Sequence, residues 1–194
     1  MKALFIFCLL ITLAIPAMTQ SNSIKGHFLF WPSTDVGIYS FCIGYERLLT
    51  KKNSVQISFN KLGSNTSNYD GPNIEYFLLT PEYRKYLSKD SSVYRSVFIG
   101  VFNEFVWINT MINFQGERED SMLVGHKINK ISPGICLGKS FKITKNAYLE
   151  IFGGIKYSFI TEKETYRISN EAETRMSNYI NWGYRLGLNY GWRF

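Results

Sequence analysis

Eight ionisable residues have the types and spacing to interact with one another inside a closed protein. Four are acids and four are bases, each on the polar face of a segment in which polar and apolar residues alternate: Glu46, Glu82, Arg84, Glu104, Lys130, Glu150, Lys156 and Arg185. Charges removed from water must be paired and hydrogen-bonded. We therefore predict a paired network that fills an interior. A gated pore or a proton-linked path through the same charges is the alternative.

The two histidines, His27 and His126, are the candidates for general-base chemistry. A serine nucleophile needs an adjacent base, but Lys127 and Ile128 follow His126, with no serine near it on the same face. His27 has no evident local partner. We therefore expect no catalytic residue, and a lipid-modifying enzyme with a Ser–His or His–Asp–Ser set remains the alternative.

The composition favours β-structure and gives no sign of a nucleic-acid partner. Aromatic residues make up 16% of the 194 residues, and Tyr and Phe supply most of them, as is typical of strands. The formal net charge is +7, but the basic residues are not clustered on any helix-like face and no nucleic-acid motif occurs. The length suits a single domain.

The N-terminus predicts a secretory signal peptide. Met1 and Lys2 precede an apolar run over residues 3–15, and the small residues Ala17 and Thr19 follow it, in the order of a positive, an apolar and a cleavage region. We place the cut after Thr19, so that residues 1–19 are the signal peptide and residues 20–194 the mature domain. The apolar run is shorter than the about 20 residues of a spanning helix.

The elements that would position the charges are strands, because apolar and polar residues alternate along the chain. The clearest segment is 180–194, where every even position is apolar and every odd position is polar or glycine. Applied along the chain, this pattern predicts eight strands at 24–31, 36–47, 54–62, 74–86, 93–107, 124–141, 147–160 and 179–194.

The predicted connections alternate in length. Short polar turns at 48–53, 87–92 and 142–146 alternate with long loops at 63–73, 108–123 and 161–178, and the short first connection at 32–35 is the exception. Such alternation is typical of an up-and-down barrel with tight turns at one rim. We predict an all-β, eight-stranded antiparallel transmembrane β-barrel with both termini at the tight-turn rim.

Three features favour a barrel whose apolar face points outward. The polar faces are rich in glycine, which suits an interior about 15 Å across. Aromatic residues lie at both ends of the apolar faces, as at the two interfaces of a bilayer, and no helix follows the last strand, whereas a soluble barrel of the lipocalin type would carry one. The aromatic residues are Trp107 and Trp182 at the long-loop end, and Tyr45, Tyr83, Tyr190 and Trp192 at the other.

The predicted barrel decides whether two cysteines can form a disulfide and how two prolines fit into strands. Cys42 and Cys136 point inward from strands two and six, which lie on opposite walls, farther apart than the about 7 Å between Cα atoms that a disulfide allows. We predict two free buried thiols, and we expect neither a metal nor a cofactor. Pro81 and Pro133 remove a hydrogen-bond donor from central strands, so we expect bulges there.

Two short stretches carry a family resemblance: Gly44-Tyr45-Glu46-Arg47 with the turn that follows it, and Thr80-Pro81-Glu82-Tyr83-Arg84. Together with the signal peptide and a final aromatic strand ending in Phe194, the chain resembles the OmpA/OmpX class of small outer-membrane barrels. The stretches are similar to a family of uncharacterised outer-membrane barrels common in Bacteroidetes. The resemblance implies a bacterial outer membrane and periplasmic termini. It also implies insertion by the barrel-assembly machinery, with Tyr190, Trp192 and Phe194 in the recognition signal. It implies no known activity.

The two rims differ in what they offer to partners. The tight-turn rim carries Lys51, Lys52, Lys85, Lys89, Lys139, Lys142 and Lys145, which either contact anionic phospholipid headgroups or keep the turns soluble. The loops 108–123 and 161–178 are where an extracellular ligand would bind. We expect a non-enzymatic outer-membrane barrel, surrounded by outer-membrane lipids, with a structural or surface-interaction role. A narrow porin-like channel is the alternative, besides the enzyme.

Overall fold

The chain folds into one closed ring of strands. The computed structural model describes residues 21–31, 38–64, 73–87, 96–111, 122–168 and 171–194. The strands are β1 (Asn22–Trp31), β2 (Ile38–Leu48), β3 (Asn53–Ser64), β4 (Asn73–Tyr86), β5 (Val97–Met111), β6 (Met122–Lys142), β7 (Ala147–Ile168) and β8 (Glu171–Arg193). Each strand pairs antiparallel with the next, and β8 pairs with β1. This confirms the predicted eight-stranded up-and-down barrel.

Several predicted features lie outside the described residues: the signal peptide 1–19, the connection 32–35, most of the turn 87–92 with Lys89, and the middle of the loop 108–123. Across the described part of the chain, no helix is long and apolar enough to cross a bilayer.

The two faces of the barrel have opposite polarity. On β8, Trp182 and Tyr184 are 69% and 66% exposed, whereas Arg185 is fully buried. The other strands repeat this arrangement, with isoleucine, leucine and many aromatic side chains outside, and with charged and polar residues together with several aromatic rings inside. The predicted orientation is therefore correct, and it reverses the arrangement of a protein whose exterior faces water.

Outward aromatic residues form a belt near the long-loop end of the strands. The rings of Phe77 and Trp107 lie 5.1 Å apart, and those of Tyr157 and Trp182 lie 4.9 Å apart, both nearly edge-to-face. Such contacts are favourable for aromatic rings beyond the area that they bury. Trp107 and Trp182 thus take part in the predicted belt.

Two tight turns share one hydrogen-bonding pattern. Thr50 Oγ1 accepts hydrogen bonds from the backbone N–H groups of Lys52 and Asn53, at 3.2 and 3.0 Å. Thr144 Oγ1 accepts from those of Asn146 and Ala147, at 3.3 and 3.0 Å. A hydroxyl that satisfies the turn in this way favours a short connection, which explains the tight rim.

Inward aromatic rings pack over glycines of the neighbouring strand. Phe98 lies opposite Gly138 in the β5–β6 register, and a Cβ added at Gly138 would lie 2.3 Å from the Phe98 ring. Phe152 and Gly187 repeat the arrangement between β7 and β8. The inward glycines therefore make room for rings, which explains why these phenylalanines occupy the polar face.

The predicted loop 161–178 was too long, because all of its residues except 169–170 form strands, while β5 and β6 take in only the two ends of the predicted loop 108–123. β7 continues to Ile168 and β8 begins at Glu171, so that only 169–170 separate them. β6 to β8 contain 21, 22 and 23 residues, about twice the 9–11 residues that cross a bilayer. We call residues 122–128, 161–168 and 171–178 the extension.

The bulges predicted at Pro81 and Pro133 are also wrong. The β3–β4 register runs through Pro81 without a shift, and the β5–β6 register runs through Pro133. Pairing is interrupted on one side only, towards β5 at Pro81 and towards β7 at Pro133, and it resumes in the same register. Each strand tolerates its missing donor because its pairing with the other neighbour is kept.

Candidate functional site

The barrel lumen contains a chain of ion pairs in which acids and bases alternate. Lys25 Nζ lies 2.8 Å from both Glu46 Oε2 and Glu150 Oε2. Arg84 Nη1 lies 2.8 Å from the same Glu150 oxygen, and Arg84 Nε lies 2.5 Å from Glu82 Oε1. Each charge in this half of the ion-pair series therefore contacts at least one charge of opposite sign.

The second half of the chain crosses the lumen. Arg185 Nη1 lies 2.7 Å from Glu82 Oε2, and β8 and β4, which carry these residues, lie opposite each other in the ring. Arg185 Nε is 3.4 Å from Glu104 Oε1, and Lys156 Nζ is 2.5 Å from Glu104 Oε2. Four acids and four bases thus connect the walls, and no side chain among them is more than 5% exposed.

Hydroxyl and amide groups donate further hydrogen bonds to two of the carboxylates, Glu46 and Glu150. Ser54 Oγ and Tyr86 OH donate to Glu46 Oε1, at 2.5 and 2.6 Å. Asn189 Nδ2 donates to Glu150 Oε2 at 2.8 Å. A buried ion pair contributes to stability only when such additional hydrogen bonds are present, so these donors are part of the network.

Aromatic faces cover the two guanidinium groups. The Arg84 guanidinium carbon lies 4.2 Å from the centre of the Phe98 ring, and that of Arg185 lies 4.4 Å from the centre of Phe102. The ring faces attract cations, most strongly where water is excluded. The rings that pack over the inward glycines therefore also line the charge network.

Seven of the eight predicted network residues take part in this series of ion pairs, and Lys130 does not. Lys130 points inward but is only half-buried, and none of the carboxylates that the structure describes lies within 4.0 Å of its ammonium group. The acid within reach, Glu104, is bound instead by Lys156 and Arg185. Lys25 is the eighth member, which our sequence analysis missed. The outward Ile24 beside Lys25 was the available signal, because a polar residue next to an outward apolar one points inward.

The two histidines have different surroundings. His27 is fully buried inside the barrel, against Gly44, and its ring nitrogens have no hydrogen-bond partner within the described structure. His126 lies in the extension, where its Nε2 contacts Glu162 Oε1. The sequence analysis looked only for a serine beside His126 and missed its carboxylate partner, because Glu162 lay in a segment that we had taken for a loop.

Cys42 and Cys136 are buried and are not joined in a disulfide, as predicted. Cys136 Sγ lies 3.4 Å from Glu82 Oε1 and donates a weak hydrogen bond to it. The thiol thus adds a donor to the carboxylate at the centre of the ion-pair chain.

Comparison with protein families identifies the chain. A family model described as "Protein of unknown function (DUF3575)" matches residues 4–190. The chain belongs to this family. A comparison of this DUF3575 chain with curated proteins finds no match.

Solved structures share the fold at low sequence identity. A major outer membrane protein from Thermus thermophilus aligns with a TM-score of 0.57 and 10% identity, over 91% of this chain and 100% of that protein. OprG from Pseudomonas aeruginosa aligns with a TM-score of 0.55 and 11% identity, over 89% and 95%. AlkL, solved in DMPC lipid bilayers, gives 0.53 and 10%, over 90% and 89%. The DUF3575 chain therefore has the fold of small outer-membrane barrels, which confirms the resemblance to that class.

Proposed function

We propose that this DUF3575 protein is an integral bacterial outer-membrane barrel with a sealed lumen and a non-enzymatic role. The observation that carries the proposal is the ion-pair chain, in which Arg185 and Glu82 join opposite walls at 2.7 Å. Side chains fill an eight-stranded interior without leaving a wide channel. Because a carboxylate holds every cation of this ion-pair chain, opening an ion-conducting path through the lumen would break several buried pairs.

The exterior supports the location in a membrane. Isoleucine and leucine side chains exposed between two aromatic ends, such as Ile135 and Leu137 at 54% and 57%, would be unfavourable in water. In hydrocarbon, a closed ring of strands also satisfies every backbone group of the spanning segments. Outer-membrane lipids are therefore the proposed surroundings.

The proposed orientation places both termini and the tight turns in the periplasm and the extension outside the cell. Lys51, Lys52 and Lys145 are exposed at the tight-turn rim, where they would contact anionic headgroups. The extension would then present a surface to extracellular partners. Tyr190, Trp192 and Phe194, at the end of β8, are the proposed contacts with the barrel-assembly machinery.

Planar-bilayer recordings test the sealed lumen. The refolded mature protein should add no steady conductance to the bilayer, because the ion-pair chain closes the lumen. A steady conductance that is abolished or altered by Glu82→Gln would contradict the proposal and favour the porin-like channel. Glu173→Gln, in the exposed extension, is the matched control that should leave the recording unchanged.

The non-enzymatic role has its own test. Ser177 Oγ lies 3.4 Å from Glu162 Oε2 and donates to that carboxylate, which also contacts the imidazole, so this serine is oriented towards an acid. Incubation with labelled phospholipid or lipid A should therefore give no product. Turnover that is lost in the His126→Ala variant would overturn this part of the proposal.

A further inference from the structure

The inner face of the extension brings one imidazole and two carboxylates together. His126 of β6 lies opposite Glu164 of β7 in the strand register, and Glu162 lies two residues earlier on the same face of β7. One ligand atom from each of the three residues lies within 4.8 Å of the other two. The three side chains are half-buried, so that they are held in place and remain accessible from outside.

Hydroxyl groups orient both carboxylates. Ser177 Oγ donates to Glu162 Oε2 at 3.4 Å, while the other oxygen of Glu162 contacts the imidazole. Tyr166 OH donates to Glu164 Oε2 at 2.6 Å. Metal-binding carboxylates are characteristically held by such outer hydrogen-bond partners.

The neighbouring cation is occupied elsewhere. Arg175 lies opposite Glu164 in the β7–β8 register. Its Nε lies 3.2 Å from Glu173 Oε1, and its guanidinium carbon lies 5.5 Å from the centre of the Tyr166 ring. The charge of Arg175 is therefore shared with Glu173, and the negative charge of Glu162 and Glu164 is available to attract a cation.

We infer that His126, Glu162 and Glu164 bind a divalent transition-metal ion beside the barrel mouth. A mixed imidazole and carboxylate set suits Zn²⁺ and similar first-row ions, whereas Ca²⁺ and Mg²⁺ prefer oxygen ligands alone. Three protein ligands leave a coordination position for water or for an external ligand. The inference needs only the geometry of the extension, so it goes beyond the proposed function and can fail independently of it.

Calorimetric titration of the untagged mature protein in detergent micelles with Zn²⁺ tests the site. A polyhistidine tag must be absent because it would bind the same ion. We expect saturable binding of one Zn²⁺ per chain. His126→Ala and Glu164→Gln should each weaken it by at least about tenfold, since each removes a ligand. Lys163→Gln, on the opposite face of β7 and exposed, should leave the affinity nearly unchanged.

One further variant and one further metal ion separate a built site from general acidity. Tyr166→Phe removes only the hydroxyl that orients Glu164 and should weaken Zn²⁺ binding without abolishing it. Titration with Ca²⁺ should give much weaker binding than Zn²⁺. All variants lie outside the barrel wall, and unchanged urea-unfolding curves would show that they fold. The inference is overturned if the wild type does not bind Zn²⁺ saturably. It is also overturned if His126→Ala binds as tightly as the wild type, or if Ca²⁺ binds equally well.

Discussion

Two arginine–glutamate pairs of identical spacing show how differently the lumen and the extension treat the same residues. Arg84 Nε lies 2.5 Å from Glu82 Oε1, and both side chains are fully buried. Arg175 Nε lies 3.2 Å from Glu173 Oε1, with the side chains 68% and 50% exposed. Each pair joins positions two residues apart on one strand, so local sequence spacing does not distinguish them.

The difference lies in the surroundings. Arg84 also binds Glu150 and lies over the Phe98 ring, whereas water solvates the exposed pair. Removing one partner of a buried pair leaves a charge without compensation, which costs several kcal/mol, while exposed pairs contribute little. Breaking a pair of the lumen network should therefore destabilise the barrel far more than breaking the exposed pair of the extension.

The largest effect is expected from Arg84→Met. The variant keeps the length of the side chain but leaves Glu82 and Glu150 each with one cation fewer. We expect the free energy of unfolding to fall by about 3–5 kcal/mol, measured by urea titration of the refolded protein in micelles or bilayers. A loss no larger than that of Arg175→Met would remove the distinction between the two regions.

A smaller effect is expected when a glycine gains a methyl group. In Gly138→Ala the new Cβ would lie 2.3 Å from the Phe98 ring and 2.9 Å from the Ile151 carbonyl oxygen. Since the backbone oxygen cannot move freely, we expect a loss of about 1–3 kcal/mol in the same titration.

Gly125→Ala is the matched control in the extension, because nothing lies within 4 Å of the Cβ that it would add. It should leave stability nearly unchanged. Replacing Phe98 by leucine in the Gly138→Ala background should recover part of the loss. If Gly125→Ala lowered the free energy of unfolding as much as Gly138→Ala, crowding by the inward rings would not explain why glycine occupies the inward positions.

The smallest effect is expected from Arg175→Met. Its ion pair with Glu173 is exposed, so the free energy of unfolding should change by less than about 1 kcal/mol. Raising the salt concentration should reduce even this difference, because salt screens exposed charges. A loss as large as that of Arg84→Met would show that the extension is packed against another surface.

The barrel itself was predictable from residue order. In β8, the alternation of Trp182, Tyr184 and Leu186 with Gly183 and Arg185 indicates a strand between two different environments. The orientation and seven network positions followed, because an inward charge must alternate with an outward apolar residue.

The extension was not predictable in this way, for a physical reason. Alternation appears only where the two faces of a strand meet different environments, and residues 173–180 of β8 are exposed on both faces. Polar residues on both faces therefore resemble a loop. Similarly, the interrupted pairing beside Pro81 depends on which neighbour its missing donor would face, and only the closed sheet determines that.

The amino-acid order is sufficient for the strand count, the inverted polarity and the absence of a disulfide between Cys42 and Cys136, since each follows from period-two alternation and ring closure. Which charges pair with one another could be determined only from the tertiary structure. Arg185 meets Glu82 across the lumen, Lys25 replaces Lys130 in the network, and His126 meets Glu162 and Glu164. These contacts join residues far apart in sequence, and their distances depend on strand register and barrel width, which no local pattern encodes.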